Sequence, residues 1–252
     1  MRLLLWRWRW RWPELRIVVP FAAVAAALWV FGWLAGEVVE GDTTRFDRHL
    51  LLALRNPADP SDPLGPLWFE QMARDITALG SVSVLTLVTV AAVVYLAMAR
   101  RRAAALLVSL CVGGGWALTE VLKGMFDRPR PDLVPHGTMV FTSSFPSSHA
   151  AMSAVVYLTL GALLARMEPG RATKLFLMGA SLVLTLLVGV SRVYLAVHWP
   201  SDVVAGWTVG AAWAVLCWTV MRALQRRGRV ETDKEGEGSL EGAGGAEVEG
   251  RD

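Results

Sequence analysis

Apolar positions in this chain gather into six blocks separated by short polar stretches. The blocks run approximately Ile17–Leu34, Ser81–Met98, Ala103–Leu122, Ala150–Ala165, Leu175–Val190 and Val203–Met221. About 20 apolar residues cross a bilayer as a helix, so the pattern predicts six transmembrane helices and an all-α bundle. The fourth and fifth blocks are short for a full span and must borrow a turn from their polar flanks or meet a thinner bilayer. The first block reads as an uncleaved span rather than a signal peptide. It is long, it follows a Trp-rich lead, and the LAGE after it offers no small-x-small cleavage site.

The polar stretches orient the bundle. Arg2, Arg7, Arg9, Arg11 and Arg16 precede the first block, Arg100, Arg101 and Arg102 follow the second, Arg166, Arg171 and Lys174 the fourth, and Arg222, Arg226, Arg227 and Arg229 the sixth. With six spans these four clusters share one side, which the positive-inside rule makes cytoplasmic. Both termini are then inside, and the loops at 35–80, 123–149 and 191–202 face outward. The alternating RWRWRW of the lead reads as an interfacial anchor, with rings at the headgroup level and guanidiniums on phosphates. NPADPSDPLGP reads as turns, and LWFEQMARDITALG as an amphipathic helix on the membrane surface. From Val230 the chain is acidic, Gly-rich and almost free of large apolar side chains, which predicts disorder. The domain organisation expected is a cytoplasmic lead at 1–16, a six-span domain at 17–222 and a disordered cytoplasmic tail at 223–252. Gly32-x-x-x-Gly36 and Gly206-x-x-x-Gly210 have the spacing of close helix contacts and are assigned to packing.

Composition agrees with a membrane protein. Of the 252 residues 54% are hydrophobic and 19% charged, with a mean hydropathy of +0.42, against 45–50% apolar and about 25% charged in soluble domains. A net charge of +3 suggests no nucleic-acid partner. Cys111 and Cys217 both lie in apolar blocks and read as buried apolar residues, too few for a disulfide framework or a zinc site.

Three outward polar stretches remain, each at the end of a block: KGMFDRPRP, FPSSHA and SRVYLAVHWPSD. A charge at mid-bilayer costs about 2.5–3.5 kcal/mol on insertion scales, so such residues pair or line a site. Singly, each has a bland reading. Lys123 can snorkel, His149 can start a helix capped by Ser147, and Arg192 can pair with Asp202. Together the bland readings require three coincidences. Lys123, Arg130 and Arg192 supply fixed cationic donors, Arg as a planar fork matched to phosphate. Ser147 adds a hydroxyl, and the amides opening the fourth helix add donors favoured by its dipole. A neutral imidazole is a nucleophile when a carboxylate holds its other nitrogen. Asp202 stands four residues after His198, with Pro200 suited to the first helical position, so one turn brings carboxylate to imidazole. His149 has no carboxylate close in sequence and is assigned proton donation to a leaving oxygen.

These residues resemble the type 2 phosphatidic acid phosphatase family, membrane relatives of bacterial non-specific acid phosphatases and vanadium haloperoxidases. Lys123 and Arg130-Pro131 match its first element, Lys, six residues, Arg-Pro. Pro146-Ser147-Ser148-His149 matches Pro-Ser-Gly-His at three of four positions, and Ser191-Arg192, His198 and Asp202 match the third element in full. The resemblance implies that His198 forms a phosphohistidine with Asp202 as its partner and His149 as the acid. It also implies that Lys123, Arg130, Ser147, Ser148 and Arg192 hold the phosphate, and that neither metal nor cofactor is needed. Ser148 replaces the family glycine, which bears on the amide contact at that position. Arg128-Pro129 duplicates Arg130-Pro131, and Arg128 is expected to tune the mouth of the site or contact headgroups.

The function expected is therefore an integral membrane phosphatase acting on a lipid phosphate or diphosphate, with undecaprenyl diphosphate favoured for an outward site. Phosphatidate, phosphatidylglycerophosphate and lipid A are the alternative substrates. A vanadium-dependent oxidase and a non-catalytic lipid-binding protein are the remaining function classes; vanadate acting only as an inhibitor dismisses the first, and a phosphate-release assay separates the second.

Overall fold

The structure is a computed structural model that describes residues 12–132 and 143–226. The Arg/Trp lead before residue 12 and the acidic tail after residue 226 lie outside the described residues. Helix α1 covers Trp12–Glu40 and is followed by α2 (Thr43–Leu52), a hairpin of β1 (Arg55–Asn56) and β2 (Asp59–Pro63), and α3 (Leu67–Ala78). Then come α4 (Val82–Met98), α5 (Arg102–Met125), α6 (Ser148–Met167), α7 (Arg171–Tyr194) and α8 (Pro200–Arg226). Five of these helices are long and apolar enough to span a membrane, and α3 with α4, meeting at a 48° bend, make a sixth. The protein is an all-α, multi-pass membrane bundle.

Helix α6 is the hub, packing against α4, α5, α7 and α8. Of its most apolar window 56% is buried inside the protein, against 6% for α1, which touches the bundle chiefly along α8. Trp29, Trp33 and Phe21 of α1 are exposed accordingly, as side chains facing lipid should be. Lipid tails are as apolar as leucine, so helices here associate through close packing and interhelical hydrogen bonds rather than hydrophobic burial. Both devices are present. A Cβ on Gly206 would stand 2.6 Å from the Ser147 carbonyl oxygen, so α8 can approach α6 only with glycine there, and Gly210 meets α6 at Ala151 in the same way. The indoles of Trp213 and Trp207 on α8 donate to the Cys111 and Thr185 carbonyls at 2.7 and 3.0 Å, tying α8 to α5 and α7. Both cysteines are free, and buried Cys111 meets the Thr159 hydroxyl at 3.3 Å. A Cβ on Gly32 or Gly36 would meet nothing within 4 Å, so that spacing marks no close contact among the described residues.

The apolar blocks locate every span but understate its length, because polar ends continue the helix. Helix α5 runs to Met125 and α7 to Tyr194, which puts Lys123 and Arg192 in last turns, and α8 opens at Pro200, with Asp202 in its first turn. The 35–80 region holds more than turns and one surface helix. It contains α2, which sequence patterning did not reveal, and an antiparallel hairpin that ends near Gly65 at φ +123°. Helix α3 is continuous with the membrane through the bend at Gly80 and Ser81, where the Ser81 hydroxyl accepts from the Val84 amide. With helices alternating in direction, the C-terminal ends of α5 and α7 and the N-terminal ends of α4, α6 and α8 share one end of the bundle. The basic residues Arg100–Arg102, Arg166, Arg171 and Arg222 lie at the other.

Candidate active site

Two side chains at this shared end belong to a short segment that leaves α5. Phe126 is extended (φ −121°, ψ 130°) and the Arg128-Pro129-Arg130-Pro131 run follows. Proline biases the residue before it toward extended backbone, so this run crosses the end of the bundle without coiling back. Phe126, Phe145 and Phe31 of α1 form an aromatic cluster beneath it, with centroids 4.8–6.4 Å apart. The returning segment is pinned at two points. The Ser144 amide donates to the Arg128 carbonyl at 2.9 Å and the Ser147 amide to the Asp202 carbonyl at 3.0 Å.

His198 sits at the centre, 1% exposed, in the turn between α7 and α8. Its Nδ1 faces Asp202 Oδ2 at 3.4 Å and Ser144 Oγ at 3.3 Å, and its Nε2 faces Arg130 Nη1 at 3.1 Å. Asp202 is an acceptor and the Arg130 guanidinium a donor, so the proton belongs on Nδ1 and a lone pair on Nε2. Burial pushes the imidazole down to about 4, against a partly compensating hydrogen bond donated to Asp202. The ring is therefore neutral near pH 7, with its basic nitrogen toward the cations. Asp202 also reaches back from the first turn of α8 to the Trp199 amide at 3.0 Å, the carboxylate half of a capping box.

The cations line one cavity. It has a volume of about 730 Å³, and Lys123, Arg130, Arg192, His149, His198 and Ser148 form its polar end. Val82, Leu85, Val112, Trp116 and Met152 supply its apolar wall, and Gly80, Thr86, Gly113 and Glu120 complete the lining. Arg192 donates to the Thr77 hydroxyl of α3 at 3.3 Å and Arg130 to the Val197 carbonyl at 3.0 Å. Burial also lowers the Arg130 guanidinium from its ordinary value, though arginine stays charged in proteins. Three buried polar atoms here have no hydrogen-bond partner in the protein: Arg130 Nε, Arg192 Nε and Ser147 Oγ. Buried polar groups are nearly always satisfied, and these unpaired groups belong to two cavity-lining arginines and to the residue that precedes Ser148.

Each expected site residue is thus placed. Lys123, Arg130, Arg192, His149, His198 and Ser148 meet at the cavity, with Asp202 behind His198. Ser147 is fully buried beside them, and as the residue preceding α6 it makes no side-chain cap bond, leaving its hydroxyl free. Its amide is occupied by Asp202, so the amides available to an anion begin at Ser148. Among the described residues, only Arg100 and Ala196 are non-glycines with positive φ, so Ser148 tolerates its backbone without a glycine's freedom. Arg192 and Asp202 are not an ion pair: Asp202 Oδ1 takes Arg128 Nη1 at 2.5 Å. That contact corrects the expectation for Arg128. It does not line the cavity but turns inward, because buried carboxylates of Asp47 and Asp202 await it there. Sequence reasoning missed Asp47, Ser144 and Ser201. Only the repeated Arg-Pro hinted at the network they form.

Comparison with known proteins identifies the family and the fold. The model of the PAP2 superfamily matches residues 102–226. Phosphatidylglycerophosphatase B of Bacillus subtilis is 35% identical over 147 residues, 57% of this chain and 70% of that protein. Decaprenylphosphoryl-5-phosphoribose phosphatase of Mycobacterium tuberculosis is 32% identical over 134 residues, 52% and 69%. The crystal structure of a transmembrane PAP2-type phosphatidylglycerolphosphate phosphatase from B. subtilis superposes with a TM-score of 0.70 at 27% identity, covering 80% of this chain and 96% of the other. Aquifex aeolicus LpxE shares the fold at a TM-score of 0.50 and 23% identity, over 69% and 93%.

Proposed function

For a chain that belongs to the PAP2 superfamily, we propose catalysis by phosphoryl transfer to His198, acting on a terminal phosphate carried by a membrane lipid. The observation that carries this reading is the placement of His198, with Nδ1 on Asp202 and Nε2 at the cation-lined end of a largely apolar cavity. The phosphate occupies the space bounded by Lys123, Arg130 and Arg192, taking the orphaned Nε–H groups and the Ser147 hydroxyl as donors. His198 Nε2 attacks phosphorus, the bond to the lipid oxygen breaks, and protonated His149 gives that oxygen its proton. His149 then takes a proton from water as the water attacks, the N–P bond breaks and inorganic phosphate leaves. Asp202 holds the Nδ1 proton and balances the charge that grows on the ring. Charge neutralisation falls to the three cations, so the reaction proceeds without a metal.

The apolar wall suits an acyl or prenyl chain. The two curated relatives act, by their names, on lipids with a phosphate beyond the first, on glycerol or on ribose. On that likeness we rank a lipid-linked phosphomonoester ahead of the undecaprenyl diphosphate expected from sequence. The basic residues at the opposite end support an outward-facing site with cytoplasmic termini. Purified protein in mixed micelles of phosphatidylglycerophosphate, phosphatidate or undecaprenyl diphosphate should release phosphate, and His198→Ala should release none. Turnover retained by that variant overturns the assignment, and faster release from undecaprenyl diphosphate overturns the substrate ranking.

A further inference from the structure

The carboxylate behind the nucleophile is itself held by a chain of groups that leads out of the matched segment. Asp202 Oδ2 takes His198 Nδ1, the Trp199 amide and the Ser144 hydroxyl. Its Oδ1 takes one side-chain charge, Arg128 Nη1 at 2.5 Å. The same guanidinium nitrogen bonds Ser201 Oγ at 2.7 Å, and Nη2 bonds Thr43 Oγ1 at 3.0 Å and Asp47 Oδ2 at 2.7 Å. The guanidinium carbon lies 5.7 Å from the Trp199 ring centroid, so the group is gripped on its flat side as well. Asp47, fully buried on α2, accepts from the Ser201 amide at 2.9 Å and the Ser201 hydroxyl at 2.6 Å. Helix α2 is thereby fastened to the first turn of α8, the turn that carries Asp202.

We propose that Arg128 and Asp47 are positioning residues for the phosphoryl-transfer step, acting through Asp202 to fix the plane of its carboxylate and so the Nδ1-protonated form of His198. The proposal rests on His198 being the nucleophile. Arg128 is outside the cavity and does not bind phosphate. A planar fork can hold two carboxylates at fixed angles, which a lysine ammonium cannot. Asp47 supplies a second function. An uncompensated cation on Asp202 would weaken its support for a ring gaining positive charge, and Asp47 offsets that cation. The Asp47–Arg128–Asp202 set keeps one net negative charge facing His198.

Outer partners of metal-ligating side chains contribute about 10–100-fold, and the same order is expected for a partner that orients the carboxylate behind a nucleophilic imidazole. With purified full-length protein and phosphatidylglycerophosphate, phosphatidate and undecaprenyl diphosphate supplied together in mixed micelles, Arg128→Gln should lower kcat on the order of 100-fold. KM should stay within about threefold, since uniform substrate binding is untouched. Arg128→Lys should recover part of that loss, and Asp47→Asn should cost about tenfold. The decisive measurement is the cycle with Asp202→Asn. Residues acting as one unit are non-additive, so either variant should add less than about threefold to Asp202→Asn. Multiplicative losses, or a loss confined to KM, would overturn the proposal. Rates are taken per mole of monodisperse protein by size exclusion. If Arg128→Gln does not fold, the isosteric Asp47→Asn cycle decides by the same criterion. Absence of release by the wild type would sink the phosphatase reading and this inference with it. A wild type that turns over beside an undiminished Arg128→Gln sinks this inference alone.

Discussion

On one side of His198, Arg128 reaches four side-chain oxygens and Asp47 and Asp202 are each held by several donors. On the other, Arg130 and Arg192 each keep a buried Nε with no partner, and Ser147 keeps its hydroxyl. The two halves both use arginine and serine, but only the saturated half adds carboxylates, those of Asp47 and Asp202. What separates them is satisfaction. A buried charge without a partner is costly, so on the proposed reading the saturated half stabilises the fold while the open half destabilises it until an anion arrives. Arg55 Nε is likewise buried and unpaired away from the cavity, so satisfaction separates these two halves but does not by itself mark a site.

The sharpest way to break the contrast is to remove one cation from each half. Arg192→Gln should lower kcat/KM by on the order of 10²–10³, the usual cost of losing a preorganised charge donor, with an unfolding midpoint unchanged or raised. Arg128→Gln strands two buried carboxylates and should cost about 3–5 kcal/mol, a midpoint lower by roughly 6–20 °C. Thermal unfolding of both in one detergent checks the pair, and equal midpoint losses would erase the distinction. The next effect is in pH. An unfolded histidine takes up its proton near pH 6.5, whereas burial holds His198 near 4. Between those values the unfolded chain binds more protons, so stability falls as pH drops through the window, by up to about 3 kcal/mol. His198→Asn should flatten that part of the wild-type midpoint-against-pH curve. The smallest effect expected is none: dialysis against EDTA should leave phosphate release unchanged, because the open half carries its own positive charge. Loss on chelation, restored by a divalent ion, would show that it does not.

Much of the open half was legible in the sequence. His198 and Asp202 are one helical turn apart, and Lys123, His149 and Arg192 each adjoin an apolar block. Bilayer thickness and helix period are the rulers that relate them, and both act along the chain. The saturated half has no such ruler. Asp47 meets Ser201 across 154 positions, from a polar stretch between spans where no periodicity betrays α2. Nor does an extended Arg-Pro-Arg-Pro run disclose which guanidinium turns toward the cavity and which toward the interior. That choice is made by buried carboxylates on α2 and α8. The Gly-x-x-x-Gly pairs make the same point. One sits where two backbones meet and the other faces open space, and spacing alone does not separate them.

Val82 and Trp116 both line the cavity and are more than half exposed on the flanks of α4 and α5, so the chamber borders the hydrocarbon rather than the aqueous phase alone. A catalyst supplied through such a flank draws on a two-dimensional reservoir. Its turnover should follow the mole fraction of substrate in the surrounding leaflet, and diluting that leaflet with inert lipid should slow it even when the amount of substrate per millilitre is held constant.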